Sequence, residues 1–420
     1  MTETRLPGLV LTDHEFDLPL DHSRPDGPRL TVYAREAAAP DGRDRPWLLF
    51  LQGGPGSAGP RPVDAGGWLG RAVRDFRVLL LDQRGTGRST PATRQTLAGM
   101  SPRQQAGYLA HFRADAIVED AEAIRRRLGG DRPWSLLGQS FGGFCVATYL
   151  SRYPEAVREA FVTGGLPPLT ATAAEVYRAT FPRVVERNER YYARYPDDAP
   201  LTGRVLAAVR AGGVTLPDGD PLTEARLRLL GLRMGFRTGL EQVHYLLEGA
   251  FVPGTDTLSD AFLHGIAPLT SFAANPLYAV LHEPIYAGPD SGPTGWAADR
   301  VLAEFDAFAG DEPVYFTGEM IFRSFLSDQA ALRPLAEAAD LLAARADWPP
   351  LYDVDRLRGC RVPVAAIVYH DDIFVDAGHS LATARTLGDC RVWVTNEFEH
   401  DGLQDAAVLD RLIAMARGLR

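Results

Sequence analysis

Ser140 stands in a motif that suits a nucleophile. It is the central residue of Gly-Gln-Ser-Phe-Gly, residues 138–142, which follows a strand-like apolar run and precedes a helix-forming segment. Small residues two positions before and two positions after the serine let the chain bend sharply from strand to helix, which exposes the hydroxyl at the sheet edge. A turn in which the serine only caps the helix is the alternative interpretation. In this context we predict that Ser140 is the nucleophile of a covalent mechanism.

A serine nucleophile needs a general base, and His400 is the predicted one. The chain contains nine histidines. Where a serine lies on a turn of this kind, the order along the chain is nucleophile, acid, histidine, with the histidine after the last strand and before the last helix. His400 follows the strand-like residues 391–399 and precedes the amphipathic segment 405–419. The alternative is a histidine in a surface loop.

The acid that orients His400 is predicted at the end of the preceding strand pattern, where three aspartates compete. Asp371, Asp372 and Asp376 all follow that pattern closely. The role requires a fixed, partly buried carboxylate that holds the imidazole tautomer and stabilises the imidazolium. We favour Asp372 because three apolar residues follow it directly. Periodicity does not decide among the three.

Two backbone amides are predicted to stabilise the oxyanion that forms on the carbonyl under attack. The amide of Phe141 opens the helix after the nucleophile, and the amide of Gly54 lies in the glycine-rich loop after the strand-like residues 47–51. Donors at these two places form the oxyanion hole in enzymes with this turn. A plain turn rich in proline and glycine is the alternative for Gly54. The loop 82–87 is interpreted as scaffold, with Arg84 tying neighbouring loops together.

These residues need a sheet whose strand ends meet at one edge. Short apolar runs alternate with helical patterns in the first third of the chain, which predicts a mostly parallel sheet with helices on both faces. Such sheets bind ligands at the carboxyl ends of their strands. The predicted organisation is one α/β domain, residues 1–166 and 351–420, interrupted by a helical cap at 167–350. Strands are predicted at residues 30–36, 47–54, 77–85, 134–140, 158–165, 362–372 and 391–400.

Composition excludes several other classes of function. The formal net charge is −10, which argues against a nucleic-acid-binding surface. All 44 basic residues are arginine, so the chain has no Schiff-base lysine, no Walker-type phosphate lysine and no Ser-Lys dyad. No His-Glu-x-x-His motif occurs, and neither a metal nor a cofactor is expected. Without a signal-peptide pattern or a long apolar run, we predict a cytoplasmic protein that does not engage membranes. The oligomeric state is left open.

Three motifs carry a resemblance to a known family. They are Gln-Gly-Gly-Pro-Gly-Ser at 52–57, Asp-Gln-Arg-Gly-Thr-Gly-Arg-Ser at 82–89, and Gly-Gln-Ser-Phe-Gly-Gly at 138–143. Together they resemble the proline iminopeptidase family, which comprises α/β-hydrolases with a helical cap that remove N-terminal proline from peptides. Gln52 departs from the histidine usual in that family, and residues 370–372 depart from its Gly-Arg-Tyr-Asp-like turn. The resemblance implies an α/β-hydrolase fold and, as substrates, small peptides with N-terminal proline.

The resemblance also implies acidic residues in the cap that bind the free amine of the substrate. Glu283 and Glu319 stand in segments similar to those positions. A partly desolvated ammonium group needs a paired carboxylate, and Glu319 is the better candidate because its surroundings in the sequence are apolar. Helix capping or a salt bridge is the alternative for each. The candidate walls for a pyrrolidine ring are Phe141, Phe316 and Phe322, with packing inside the cap as the alternative.

The predicted reaction is acyl transfer through a covalent serine intermediate. His400 deprotonates Ser140, the serine attacks a prolyl carbonyl, and water later releases proline from the acyl-enzyme. An esterase, an amidase or an aminopeptidase of broader specificity uses the same machinery, because the cap sets the substrate. A hydrolase-like binding protein without activity is the alternative from a different class.

Overall fold

A nine-stranded sheet forms the centre of the protein, in a computed structural model that describes residues 3–419. Its strands are β1 Glu3–Leu6, β2 Leu9–Pro19, β3 Arg29–Ala38, β4 Trp47–Leu51, β5 Arg77–Leu81, β6 Trp134–Gln139, β7 Val157–Thr163, β8 Val364–Tyr369 and β9 Cys390–Thr395. They lie in the order β1-β2-β3-β5-β4-β6-β7-β8-β9. β1, β2 and β3 form an antiparallel edge that joins β5, and every neighbouring pair from β5 onward is parallel.

The parallel strands inside the sheet are buried on both faces, whereas the edge strand β9 is partly exposed. Every residue of β4 and of β8 is buried, and continuous apolar runs of this kind are typical of parallel strands covered by helices on two sides. The predicted mostly parallel sheet is confirmed. The prediction did not include β1 and β2, because exposed acidic residues such as Glu15 and Asp17 alternate there with buried Phe16 and Leu18. Acidic residues have low strand propensity and hide the pattern.

Helices cover the sheet on both faces. The helices are α1 Gly67–Ala72, α2 Pro102–Leu109, α3 Ala114–Gly129, α4 Phe141–Arg152, α5 Ala173–Arg194, α6 Asp198–Arg210, α7 Glu224–Arg228, α8 Gly239–Glu248, α9 Asp260–Leu269, α10 Pro276–Leu281, α11 Ala297–Leu302, α12 Phe325–Asp328, α13 Ala336–Ala343, α14 Val354–Gly359, α15 Ala377–Thr386 and α16 Ala406–Ala416. On one face α1 and α16 bury Leu69 and Leu412, and on the other α3 and α4 bury Ile117 and Val146. Within residues 3–419 no helix has both the length and the apolarity needed to span a bilayer.

Helices α5 to α13 all lie between β7 and β8, and we refer to them as the cap. Among the described residues of this segment, β structure is limited to the isolated bridges of Thr215 with Pro221 and of Phe251 with Leu258, and turns or irregular loops join the helices. The 22-residue helix α5 begins with a capping box, in which the Thr172 hydroxyl accepts from the Glu175 amide and the Glu175 carboxylate accepts from the Thr172 amide. This arrangement satisfies two amides at the helix start. The domain limits at residues 166 and 350 remain predictions.

The cap lies against loops at the carboxyl ends of the strands. The side chain of Asn275 donates to the hydroxyl of Ser57 at 3.3 Å, and the amide of His400 donates to the carbonyl of Gly235 at 3.1 Å. Arg113, which is buried between core and cap, donates to two carbonyls of the cap. The edge of the sheet where the predicted catalytic residues gather is therefore covered by helices.

Candidate active site

Ser140 occupies a strained turn between β6 and α4. Its backbone has φ 54° and ψ −127°, a left-handed conformation that side chains other than glycine adopt at a cost and that occurs mostly at functional sites. The surrounding chain holds it there, since the Ser140 amide donates to the carbonyl of Thr163 at 2.9 Å and the Ser140 carbonyl accepts from Gly143 at 2.7 Å. The turn that the motif predicted is present.

The two glycines of the motif are required by close backbone approaches. A Cβ atom on Gly138 would lie 2.5 Å from the carbonyl oxygen of Gly142, and one on Gly142 would lie 1.9 Å from the carbonyl oxygen of Leu51. No side chain fits at those distances. The spacing of small residues around Ser140 therefore follows from the close approach of α4 to the ends of both β6 and β4.

The loop after β4 reaches the serine side chain. A Cβ atom on Gly53 would lie 2.9 Å from the Cβ of Ser140, so Gly53 borders the nucleophile directly and Gly54 is the next residue of the same loop. Among the described residues, no protein acceptor receives a hydrogen bond from the Gly54 amide. The amide of Phe141 is the first of α4 and has no acceptor within the helix. Both predicted donors thus lack a protein acceptor among the described residues, and Phe141 directly follows Ser140.

His400 and Asp372 form a buried hydrogen-bonded pair. Nδ1 of His400 lies 2.8 Å from Oδ2 of Asp372, and both side chains are almost fully buried. The other oxygen of Asp372 accepts from the amides of Phe374 at 2.8 Å and Val375 at 3.2 Å. These two amides hold the carboxyl group in place, so that its other oxygen is fixed against Nδ1 of His400, the contact by which a triad acid orients the ring.

The other two aspartates considered for the acid have different partners. Asp371 contacts Arg190 at 2.9 Å and the ring of its neighbour His370 at 2.8 Å. Asp376 accepts from the amide of His379 at 2.9 Å and begins α15. Of the three, the structure brings Asp372 to His400.

The second ring nitrogen of His400 is not used by the pair with Asp372. This atom, Nε2, is buried and has no hydrogen-bond partner among the described residues. The end of β7 approaches both residues: a Cβ atom on Gly164 would lie 3.2 Å from Nδ1 of His400, and one on Gly165 would lie 2.2 Å from the backbone carbonyl oxygen of Ser140. Catalytic hydrogen bonds in structures without substrate are often long and tighten on binding.

The pKa of His400 reflects two opposing effects. Burial lowers the pKa of the imidazole, but the charge of Asp372 and its hydrogen bond outweigh burial and hold the pKa above its usual value. The carboxylate of Glu319 acts in the same direction. An imidazole with this environment can take a proton from Ser140 and keep it while the reaction proceeds.

Glu319 of the cap faces this pair. Its carboxylate accepts a hydrogen bond from the hydroxyl of Tyr278, and its backbone carbonyl lies 3.1 Å from Nε2 of His282. Burial raises the pKa of Glu319 to about 7; the charge of Asp372 adds to the rise, whereas His400 and Tyr278 oppose it. Sequence reasoning missed Tyr278, because it stands 41 residues from Glu319 and no local pattern links them.

Glu283 is buried beside the start of α11. Its Oε1 accepts from the amide of Ala298 at 2.9 Å, so one oxygen caps a helix, as the alternative interpretation held. Its Oε2 is buried without a hydrogen-bond partner among the described residues, and burial raises the pKa of the carboxyl despite the contact with Ala298. Burial also raises the pKa of Tyr177 far above its usual range, and the nearby carboxylates of Glu283 and Glu319 add to that rise.

The three phenylalanines proposed as pocket walls have separate surroundings. The ring of Phe316 packs against Tyr191 and Tyr192 of α5, at centroid distances of 6.0 and 6.5 Å. Phe322 packs against its neighbour Phe325 inside the cap. Phe141 contacts Phe144, whose ring lies 5.8 Å from that of Tyr286. Phe316 and Phe322 thus pack within the cap, as the alternative interpretation held. Of the three, Phe141 alone lies at the serine turn.

The loop 82–87 acts as a structural tie. Arg84 is fully buried and donates to the carbonyls of Leu20 at 2.7 Å and His111 at 2.9 Å. Asp82 accepts from the amide of Gly59 at 3.0 Å, which anchors the loop that carries Gly54. Within residues 3–419 no three His, Cys, Asp or Glu side chains come together as a metal site requires.

The sheet and the serine turn define the class of the protein. Residues 46–211 match the family described as alpha/beta hydrolase fold, and the strand-turn-helix unit at Ser140 lies inside that range. The protein is an α/β-hydrolase, as the motifs predicted.

Whole-chain relatives define the particular family. A proline iminopeptidase of Aeromonas sobria is 47% identical over 419 residues and covers 98% of each chain. The proline iminopeptidase aneH of Aspergillus aculeatus is 34% identical, with 97% of this chain and 94% of the relative covered. The chain belongs to the proline iminopeptidase family.

Proposed function

We propose that the protein is a serine aminopeptidase that releases N-terminal proline from peptides. The observation that carries this proposal is the carboxylate of Glu319, which lies close enough to His400 for each to shift the pKa of the other. A carboxylate beside the catalytic base suits a substrate whose free amine is next to the bond that breaks. Membership of the proline iminopeptidase family supports the same reaction.

In the first half of the reaction, Ser140 is acylated. Nε2 of His400 takes the hydroxyl proton as Oγ of Ser140 attacks the prolyl carbonyl, while Asp372 stabilises the imidazolium that forms. The negative charge on the carbonyl oxygen is stabilised by the amides of Gly54 and Phe141. The imidazolium then gives its proton to the leaving nitrogen as the C–N bond breaks.

In the second half, water replaces the peptide amine. His400 takes a proton from the water, the resulting nucleophile attacks the acyl carbonyl, and the bond to Ser140 Oγ breaks as His400 returns the proton. Proline leaves with a free carboxylate. The free Nε2 of His400, the buried pair with Asp372 and the strained backbone of Ser140 support these roles.

We assign recognition of the substrate amine to the two cap glutamates, Glu319 and Glu283. A protonated prolyl nitrogen has two N–H donors, and a carboxylate is the partner that best offsets its desolvation. Glu319, held by Tyr278, is the first acceptor that we propose. Glu283 is the second, since its Oε2 remains unpaired among the described residues while Oε1 holds α11. The cap, predicted at residues 167–350, would thereby select for a free N-terminus.

Replacing Glu319 by glutamine tests the proposal. Glu319→Gln keeps the size and the hydrogen bond to Tyr278 but removes the charge, so kcat/KM for prolyl-naphthylamide should fall by about 10- to 100-fold. Hydrolysis of a neutral acetate ester should be unchanged. Glu337→Gln, at an exposed position of α13, is the matched control and should leave both activities intact.

Two outcomes would contradict the proposal. Equal loss of both activities would mean that Glu319 supports the triad rather than the amine. If Glu319→Gln kept full prolyl activity, Glu319 would not bind the amine. The protein would then fit better with an esterase, an amidase or an aminopeptidase of broader specificity. Failure of a fluorophosphonate to label Ser140 in the wild-type protein would favour a non-catalytic protein instead.

A further inference from the structure

Arg187 of α5 is a buried arginine that reaches from the cap onto the core. Its side chain is 5% exposed. Nη1 donates to one carboxylate oxygen of Glu399 at 2.7 Å, and Nη2 donates to the other at 2.5 Å. Nη2 also donates to the backbone carbonyl of Asp371 at 3.1 Å. A single guanidinium therefore joins two separate loops of the core.

Those two loops carry the predicted base and acid. Glu399 directly precedes His400, and Asp371 directly precedes Asp372. The base and acid stand 28 residues apart in the chain, so their 2.8 Å contact depends on how the two loops are held. A bidentate pair of arginine and carboxylate fixes direction as well as distance.

Other cap residues touch the same two loops. The amide of His400 donates to the carbonyl of Gly235 at 3.1 Å, and the amide of Arg237 donates to Oδ1 of Asp401 at 3.2 Å. On the acid loop, the ring of Phe374 lies 4.8 Å from that of His400. The segment 235–237 therefore contacts both loops, since the ring of Phe236 packs on that of Phe374 at a centroid distance of 5.5 Å. Arg187 differs in that one side chain hydrogen-bonds to both loops.

The charge arrangement around Arg187 explains why arginine is suited to the task. Its positive charge is balanced by Glu399, and the nearby Asp371 carboxylate is paired with Arg190 on the next turn of α5. A lysine at position 187 would keep the charge, but its compact ammonium cannot form the planar fork with Glu399 and also bond to the Asp371 carbonyl.

We propose that Arg187 is a positioning residue: from the cap, it sets the loop of His400 against the loop of Asp372 and so aligns the hydrogen bond between them. The assembled base and acid thus depend on the cap as well as on the core. This inference rests on the proposed function, because the alignment affects catalysis only if His400 and Asp372 act on Ser140.

The variant Arg187→Lys separates geometry from charge. We expect kcat for prolyl-naphthylamide to fall by about 10- to 100-fold, since a misplacement of about 1 Å costs up to about 100-fold, while KM stays within about twofold because the amine site is untouched. The rate of Ser140 phosphonylation by a fluorophosphonate should fall in parallel. The low-field proton resonance of His400 Nδ1–H should shift or broaden.

A double-variant cycle and a matched control sharpen the test. Glu399→Gln should lower kcat as well, and the double variant should be no more than about twofold slower than Arg187→Lys alone, because the same contact is lost in each. Arg178→Lys is the control: Arg178 lies on the same helix and forms the same kind of fork with Glu304, wholly within the cap. It should leave kcat and the phosphonylation rate unchanged.

The outcomes distinguish this inference from the proposed function. A folded Arg187→Lys enzyme with kcat and phosphonylation rate within twofold of wild type, even with a lower Tm, would overturn the positioning role. If Arg187→Lys does not fold, Glu399→Gln tests the same contact by the same readouts. If the wild-type enzyme labels with the fluorophosphonate but releases no proline, the proposed function fails, and the phosphonylation rates still decide the role of Arg187.

Discussion

At the scale of single residues, two carboxylates of the site have different surroundings. Asp372 accepts from His400 and from two backbone amides, whereas Glu319 has the Tyr278 hydroxyl as its side-chain donor. Burial of Glu319 with so few donors raises its pKa to about 7. One acid is therefore held by backbone amides against the imidazole, and the other titrates near neutrality; in the proposed function the second meets the substrate amine.

Because Glu319 titrates as well as His400, we expect the pH profiles of two substrates to differ. Below pH of about 7, Glu319 takes up a proton and loses the charge that an ammonium group needs, and His400 must also be neutral to act as a base. The acid limb of log kcat/KM against pH should therefore approach a slope of 2 for prolyl-naphthylamide. For a neutral acetate ester it should have a slope of 1, because only His400 matters.

The Glu319→Gln enzyme is the control for this pH profile. With the titrating carboxylate removed, the prolyl substrate should give the slope of the ester. Identical acid limbs for the two substrates on the wild-type enzyme would contradict a role for Glu319 in binding the amine.

At the scale of elements, the strand-turn-helix unit depends on how closely α4 approaches β4. A methyl group on Gly142 would lie 1.9 Å from the Leu51 carbonyl oxygen. The two backbone segments would have to separate, which costs stability. Gly142→Ala should lower the free energy of unfolding by about 2 kcal/mol or more and should reduce kcat by displacing Ser140. Urea unfolding and steady-state kinetics measure the two effects.

A second glycine provides the comparison. Gly107 lies inside α2, and a Cβ atom there would meet nothing within 4 Å. Gly107→Ala should therefore stabilise the protein by about 0.5–1 kcal/mol through the better helix propensity of alanine. A Gly142→Ala protein as stable as wild type would show that the turn is looser than its contacts indicate.

At the scale of the whole molecule, a buried ion pair links distant parts of the core. Arg84 donates to both carboxylate oxygens of Asp120 at 2.6 and 2.7 Å, and both side chains are almost completely buried. The same guanidinium binds carbonyls of Leu20, after β2, and of His111, after α2. The antiparallel edge of the sheet, the loop before α3 and α3 itself are thus tied together at one point.

Removing one charge of this pair should be costly. Asp120→Asn leaves the buried guanidinium of Arg84 without its counter-ion, and the expected loss is about 3–5 kcal/mol in the free energy of unfolding. Glu304→Gln, which breaks an exposed pair with Arg178, should cause no measurable change. Equal effects in urea unfolding would mean that the buried pair contributes no more than an exposed one.

Much of the fold could be predicted from local sequence signals. The apolar runs of β4, β5, β6 and β8 were recognised because strands buried on both faces must be mostly apolar. The elbow at Ser140 was recognised because only small residues allow the bend, and His400 because chain order in this fold restricts where a base can stand. The strands β1 and β2 were missed because their exposed side chains are polar or charged.

The sequence by itself therefore determined the fold class, the nucleophile turn and the short list of partners for Ser140. Tertiary structure decided what depends on contacts between distant segments. It brought Asp372, rather than Asp371 or Asp376, to His400, and it gave Glu283 a helix to cap. It also joined Arg187 to Glu399, 212 residues away. Backbone propensity and apolar pattern act over a few residues, whereas the direction of a buried charge is set only when the cap packs on the core.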